Sequence, residues 1–172
     1  MYQIPEKLIN FSVYKDGNTW LGVSDIVLPN IESMTETVSG AGIAGEVDSP
    51  TIGHFGSMTA TLNWRTVDRK AIELLRPVSH ALDFRGSQQV YNPATGEYRS
   101  VGIRVSVKAI AKNVTSGNFA PATTTGTSTE LEVTYIKIWE DGKVVIEIDK
   151  YNFVFRVDGK DMLEQVRRQL GM

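Results

Sequence analysis

Few residues in this chain have the type and spacing to do chemistry. It has two histidines, His54 and His80, and no cysteine. Thiolate metal sites, disulfides and cysteine nucleophiles are thereby excluded, and a three-histidine zinc site is out of reach. His80 alternates with Val78, Leu82 and Phe84 and reads as a hydrogen-bonded core residue. His54 stands beside Phe55 in a Gly-rich stretch, and no Gly-x-Ser-x-Gly elbow accompanies it to make a triad. Gly40-Ala41-Gly42-Ile43-Ala44-Gly45 is a literal G-x-G-x-x-G. A dinucleotide fingerprint needs a helix to open at the third glycine, whereas here Glu46, Val47, Asp48, Ser49 and Pro50 follow with no helical period. The carboxylate pairs Glu130/Glu132 and Glu147/Asp149 are spaced two apart and line one strand face, as on the solvated side of a sheet. Arg104, Lys108 and Lys112 also share a face. No aromatic residue is interleaved with them on that face, so cross-strand ion pairing is expected in place of nucleic-acid tracking. No catalytic, cofactor-binding or metal-binding residue is assigned.

The elements that carry these residues are strands. Val101, Ile103, Val105, Val107, Ala109 and Ala111 alternate with polar residues from Tyr98 to Lys112, and Met58, Ala60, Leu62 and Trp64 alternate from Ser57 to Thr66. Asp141-Gly142 between two apolar-rich runs predicts a hairpin with a type I′ turn, Glu140 opposite Lys143. Carried along that ladder, the register puts Leu131, Val133, Tyr135, Lys137 and Trp139 on one face. Ile136, Ile138 and Val145 then form an apolar patch on the other, which another layer or another subunit should cover. A parity change after Ile148 predicts a bulge near Asp149–Lys150. Trp20–Leu28 and Ile31–Val38 complete the strands. Helices are expected only over Asp68–Arg76, which has a capping Asp and a stop at Pro77, and over Lys160–Leu170.

The chain has 172 residues, 41% apolar and 22% charged, with a formal net charge of −2, values ordinary for one globular domain. Its first 86 residues hold 7 basic and 10 acidic side chains and the rest 11 and 10, so neither half is a basic arm or acidic tail. The first eleven residues lack the apolar run of a signal peptide, and synthesis in the cytoplasm without stable membrane association is expected. The reading is a single domain over residues 1–172, mainly β, β-sandwich or barrel-like, with one or two short flanking helices. Two stretches without either period, about 39–56 and 113–129, are read as long loops that order on a partner. Long strands, an apolar face that needs covering and low-complexity loops describe a protein that assembles. A barrel that binds a small molecule is the competing reading, and it requires an enclosed cavity with convergent polar groups.

Lys7-Leu8-Ile9-Asn10-Phe11-Ser12-Val13-Tyr14-Lys15-Asp16-Gly17, then Trp20-Leu21-Gly22 and Ile26-Val27-Leu28-Pro29, resemble the opening of the major tail tube proteins of contractile-tailed bacteriophages. Glu36-Thr37-Val38-Ser39 with the glycines after it, Val157-Asp158-Gly159-Lys160-Asp161-Met162-Leu163, and Arg167-Arg168-Gln169-Leu170-Gly171 extend the resemblance to the end. It implies a structural subunit without enzymatic activity or cofactor. Such subunits form six-membered rings that stack into a hollow tube inside a sheath, in a phage or a phage-tail-like bacteriocin. Implied partners are further copies of the chain, the sheath, baseplate and tail-terminating proteins, and DNA where the lumen carries it. On this reading Gly40, Gly42, Gly45, Phe55, Phe119 and Pro121 belong to assembly loops. One polar face, either Arg104/Lys108/Lys112 or Glu132/Glu147/Asp149, lines the lumen.

Overall fold

A computed structural model describes residues 2–172. The long strands follow the period-two pattern. They are β1 (Ile4–Lys15), β6 (Thr59–Trp64), β7 (His80–Asn92), β8 (Glu97–Thr115), β9 (Thr127–Glu140) and β10 (Lys143–Asp149). Shorter strands are β2 (Thr19–Leu21), β3 (Val23–Val27), β11 (Val154–Val157) and β12 (Lys160–Asp161). Every pairing is antiparallel, in the order β12-β11-β10-β9-β8-β7-β1-β2, and β6 bonds to both β3 and β9. Because only Gly22 separates β2 from β3, the pairings β1–β2, β3–β6–β9–β8–β7–β1 return on themselves in a barrel-like circuit.

The inward face of this circuit is filled. Val13, Leu21, Leu62, Trp64, Leu82, Phe84, Val105, Val107, Leu131, Val133, Ile136 and Ile148 form one buried cluster. At roughly 25 cal/mol per Å² of apolar surface removed from water, this packing is the main force holding the strands in register. Polar residues in it are satisfied, as where the indole N–H of Trp64 donates to Thr129 Oγ1 at 3.2 Å. His80 is buried on this face with Nε2 3.3 Å from the carbonyl of Arg76, the core role its position predicts. The helix α1 (Arg69–Glu73) starts at Asp68, whose carboxylate accepts from the Lys70 N–H, and it buries Ala71. The second helix, α2 (Glu164–Leu170), starts four residues later than its pattern suggests, because Lys160 and Asp161 pair with β11.

Two bulges revise the expected faces. Asp141 and Gly142 both take positive φ in the turn, and Glu140 does pair with Lys143. Val145 is then extra, so Ile146 faces Ile138 and Ile148 faces Ile136. On β9, Tyr135 pairs with Lys108 but Val133 with Ala109, which leaves Thr134 extra. Its carbonyl accepts from the Lys150 N–H at 3.1 Å, so the irregular backbone stays satisfied. A one-residue slip exchanges the faces of a strand. Leu131 and Val133 point inward, and after the bulge so do Ile136 and Ile138, while Tyr135, Lys137 and Trp139 turn outward. The patch of Ile136 and Ile138 is therefore covered within the subunit. The bulges that set these faces lie at Thr134 and Val145; at Asp149–Lys150, where the parity change predicts a bulge, the chain instead enters a turn over 150–153 that links β10 to β11.

The stretch 39–56 is no loop. Strand β4 (Ser33–Ser39) pairs with β5 (Glu46–Phe55) as a separate two-stranded hairpin, leaving only a tip at 40–45. Likewise β8 continues to Thr115 and β9 begins at Thr127, so the second loop is 116–126.

Candidate assembly surfaces

The outward face of the large sheet carries one cross-strand row of polar side chains. Partner by partner it runs Trp20, Tyr14, Asp83, Ser106, Lys137, Glu147, Arg156 and Asp161, crossing all eight strands from β2 to β12. At about 4.8 Å per strand this is a band on the order of 35 Å wide. Opposite charges alternate along it. Glu147 meets Arg156 at 3.3 Å and Lys137 at 3.9 Å, and Asp161 meets Arg156 at 3.7 Å. Arg167 of α2 closes the end on Asp161, and this bond, opposed by partial burial, holds the Asp161 carboxyl below its usual range.

Asp83 anchors the other half of the row. Arg104 grips its carboxylate through two nitrogens, at 2.7 and 3.2 Å, Arg85 donates at 3.2 Å, and Ser106 Oγ donates as well. Burial pushes this carboxyl up, and the hydrogen bonds from Arg104, Ser106 and Arg85 outweigh it, so the net displacement is downward. Between the two halves the Tyr135 hydroxyl donates to Glu147 at 3.2 Å. Burial, and then the adjacent Glu147 charge, push its pKa up to about 12.

The aromatic residues that the Thr134 bulge turns outward sit among the cations. Arg104 lies 4.8 Å and Lys137 5.1 Å from the ring centre of Trp139, Lys108 lies 5.3 Å from that of Tyr135, and Arg85 4.4 Å from that of Tyr14. The face thus does interleave aromatic and basic residues, contrary to the expectation from sequence, because the rings come from neighbouring strands. Each of these rings is already occupied by a cation of the same subunit.

The two sets of lumen candidates, taken as alternatives from the sequence, occupy the same side of the sheet. Arg104, Lys108, Glu147 and Asp149 lie close together, Lys108 and Asp149 both pairing with Tyr135. Asp149 has a further task there, accepting from the backbone N–H groups of Tyr151 and Asn152 in the turn after β10. Lys112 and Glu132 stand apart from the row. Lys112 Nζ lies 3.1 Å from Glu132, which also accepts from Ser57 at 2.7 Å and has Lys150 at 4.0 Å. Burial raises the Glu132 carboxyl, and the Ser57 and Lys112 hydrogen bonds more than offset it. Position had singled out neither Asp83, Lys137, Tyr135 nor Trp139, since each depends on which residue lies across the ladder.

The hairpin β4–β5 is the second surface. Met34, Val38, Val47 and Ile52 are all exposed on it, and Gly40, Gly42 and Gly45 form its tip. An isolated two-stranded hairpin is marginal in water, and this one is held at its base. Phe55 packs edge-on against Phe155 at 5.0 Å, so it belongs to the seat of the hairpin and not to its free end. Lys150 Nζ donates to the Gly56 carbonyl at 2.7 Å. Gly53 takes φ +71°, and a Cβ there would stand 2.5 Å from Leu163 Cδ1, so the Leu163 side chain occupies the space a larger residue would need. The loop 116–126 is also tied at its neck: Asn118 N–H donates to Thr125 at 2.9 Å, and Thr127 Oγ1 donates to Ser116 at 2.9 Å. Of the loop only Thr125 is buried, and Phe119 (89% exposed) and Pro121 lie in its outer part.

A recess of about 390 Å³ lies beside the unpaired edge of the first half of β1. Leu8, Phe11, Ile26, Leu28 and Ile103 make its wall mostly apolar, and it opens to solvent. The small-molecule reading needs an enclosed chamber instead, and the barrel interior is occupied by core side chains.

Residues 5–171 match the family described as phage tail tube protein FII. The chain is 26% identical over 179 residues to the tail tube protein of Escherichia phage P2, covering 98% of this chain and 99% of that one. It is 27% identical over 160 residues to the major tail tube protein of Serratia phage KSP20, covering 92% and 91%. Among solved structures, a chain of the sheath/tube terminator of the extracellular contractile injection system PVC, in its extended state, superposes with a TM-score of 0.56. It is 15% identical and covers 81% of this chain and 98% of that one. A chain of the extended PVC sheath–tube complex gives 0.51 at 16% identity, with 79% and 90% covered. At those identities the likeness is one of fold.

Proposed function

The chain belongs to the phage tail tube protein FII family, is a structural subunit of the tube of a contractile tail and not an enzyme, and from that premise we propose how it builds and uses the tube. Six copies close into a ring, rings stack through the β4–β5 hairpin, and the stack forms a hollow tube inside a sheath that drives it through a target envelope. The observation that carries this reading is the hairpin itself. Among the described residues its two strands pair only with each other, and they leave Met34, Val38 and Val47 in water, a state that contact with a further copy relieves. Closed rings with open stacking are what heterologous contacts generate. The unpaired edge of β1 and the apolar recess beside it supply a lateral contact, which also covers an edge otherwise prone to aggregation.

We assign the charged outward sheet face to the lumen. Around the row it sets six cations, Arg85, Arg104, Lys108, Lys137, Arg156 and Arg167, against four anions, Asp83, Glu147, Asp149 and Asp161. Most are engaged with one another. A wall whose cations are mostly paired with its own carboxylates offers a polyanion few free phosphate contacts, so DNA passes without being gripped. Negative-stain electron microscopy of the purified protein at high concentration, and of particles from cells co-expressing a sheath, tests the assembly. Hollow tubes with sixfold end views are expected. Monodisperse monomers under both conditions would overturn it.

A further inference from the structure

The hairpin and α1 leave strand β6 at opposite ends. The hairpin lies between Val27 of β3 and Thr59, the first residue of β6, and α1 follows Trp64, its last. Six strand residues separate the two ends by about 17 Å. The two ends differ in charge. Residues 31–56, which hold the hairpin, carry Glu32, Glu36, Glu46 and Asp48 and no lysine or arginine. None of those four carboxylates has a cation within ion-pair distance among the described residues, although Asp48 accepts from Thr37. Without this segment the chain holds 18 basic and 16 acidic side chains, so an arm of −4 projects from a body of +2.

The complementary surface lies at the other end. Residues 65–78 contain Arg65, Arg69, Lys70 and Arg76 against Asp68 and Glu73. Asp68 is spent on capping α1 and Glu73 on Arg69. Ile72 and Leu75, three apart and on one side of the helical turn, are both 45% exposed, and Val67, Val78 and the Trp20 ring of β2 are exposed as well. This corner is therefore apolar at its centre with surplus cations around it, while one face of the arm carries Val38 and Val47 beside Glu36 and its other face carries Glu46 and Asp48.

We propose that the β4–β5 arm of one subunit docks on the α1–β2 corner of a second copy of this chain stacked along the barrel axis. Val38 and Val47 cover Ile72 and Leu75, Glu36 on the same face of the arm meets Arg76, and Glu46 and Asp48 on the opposite face add to the attraction at longer range. The contact rests on the stacked-ring reading and gives the stack a direction, because the two surfaces differ and occupy opposite ends.

The absence of cysteine in the chain makes a clean test available. Purified Val47→Cys and Ile72→Cys subunits, one bearing a size tag, are mixed and mildly oxidised. Val47→Cys with Tyr151→Cys is the control, since Tyr151 is well exposed in the turn after β10 and away from α1. Docking raises the local thiol concentration, and the Val47/Ile72 heterodimer is expected to form at least about tenfold faster than the control. The triple reversal Glu36→Lys, Glu46→Lys and Asp48→Lys removes the excess, and Arg69→Glu with Arg76→Glu in the partner restores it. Equal rates for Ile72 and Tyr151, or failure of the paired reversal to restore linkage, overturn the contact even if tubes form. Tubes absent while the specific cross-link persists would count against the stacked-ring reading and leave the contact standing.

Discussion

Replacing Asp83 with Asn tests whether the charged row stabilises the sheet or merely decorates it. The Asp83 side chain is 10% exposed and receives two bonds from Arg104, one from Arg85 and one from Ser106. A buried hydrogen bond to a charged group contributes roughly 1.5–3 kcal/mol. The arginines are 47% and 42% exposed, so water screens them and each is closer to a surface pair at about 0.5–1 kcal/mol. Adding the better-shielded Ser106 bond, and allowing for the acceptor that Asn keeps, gives a loss of about 2 kcal/mol at pH 7. For a chain of this size that lowers Tm by roughly 4–8 °C. The pH dependence has a defined sign. The Asp83 carboxyl is displaced downward on folding, so its contribution is present above the ordinary carboxylate pKa and disappears as pH falls through the lowered folded value. Thermal and urea unfolding of both proteins from pH 7 downward should show the gap constant to about pH 5 and closing below pH 4. A gap under about 0.5 kcal/mol at pH 7, or one that stays constant into strong acid, would refute the reasoning.

Two further outcomes follow from individual side chains. Tyr135, with its pKa pushed up to about 12, should remain un-ionised in a near-ultraviolet titration where exposed tyrosines have titrated; being raised, it contributes stability below about pH 10 that is lost as pH approaches the folded value, and Tyr135→Phe should flatten that alkaline limb. Gly53→Ala should cost about 1–3 kcal/mol from backbone strain at φ +71° together with collision against Leu163; Leu163→Ala in the same chain should recover the collision share, so a double-mutant cycle read by urea unfolding is expected to be less than additive.

Much of this protein was written locally. The alternation in β6 and β8, the Asp141-Gly142 turn and the Asp68 cap each depend on residues a few positions apart, and each appears where its pattern stands. The ends of the chain also carried the resemblance that the relatives bear out. The hairpin arm was hidden because its ladder is made by backbone groups, which pair whatever side chains they carry. Pro50, Gly53 and the tip glycines obscured β5, and no buried face required an apolar period. The charged row was beyond local reading for a different reason. Whether Tyr135, Lys137 and Trp139 face the core or the outside turns on one extra residue, Thr134, whose placement is decided by the strands on either side competing to bury Val133 and Ile136. A slip of one residue inverts a face at almost no local cost, so only the packed sheet selects the register, and with it the neighbours of Asp83 and Glu147.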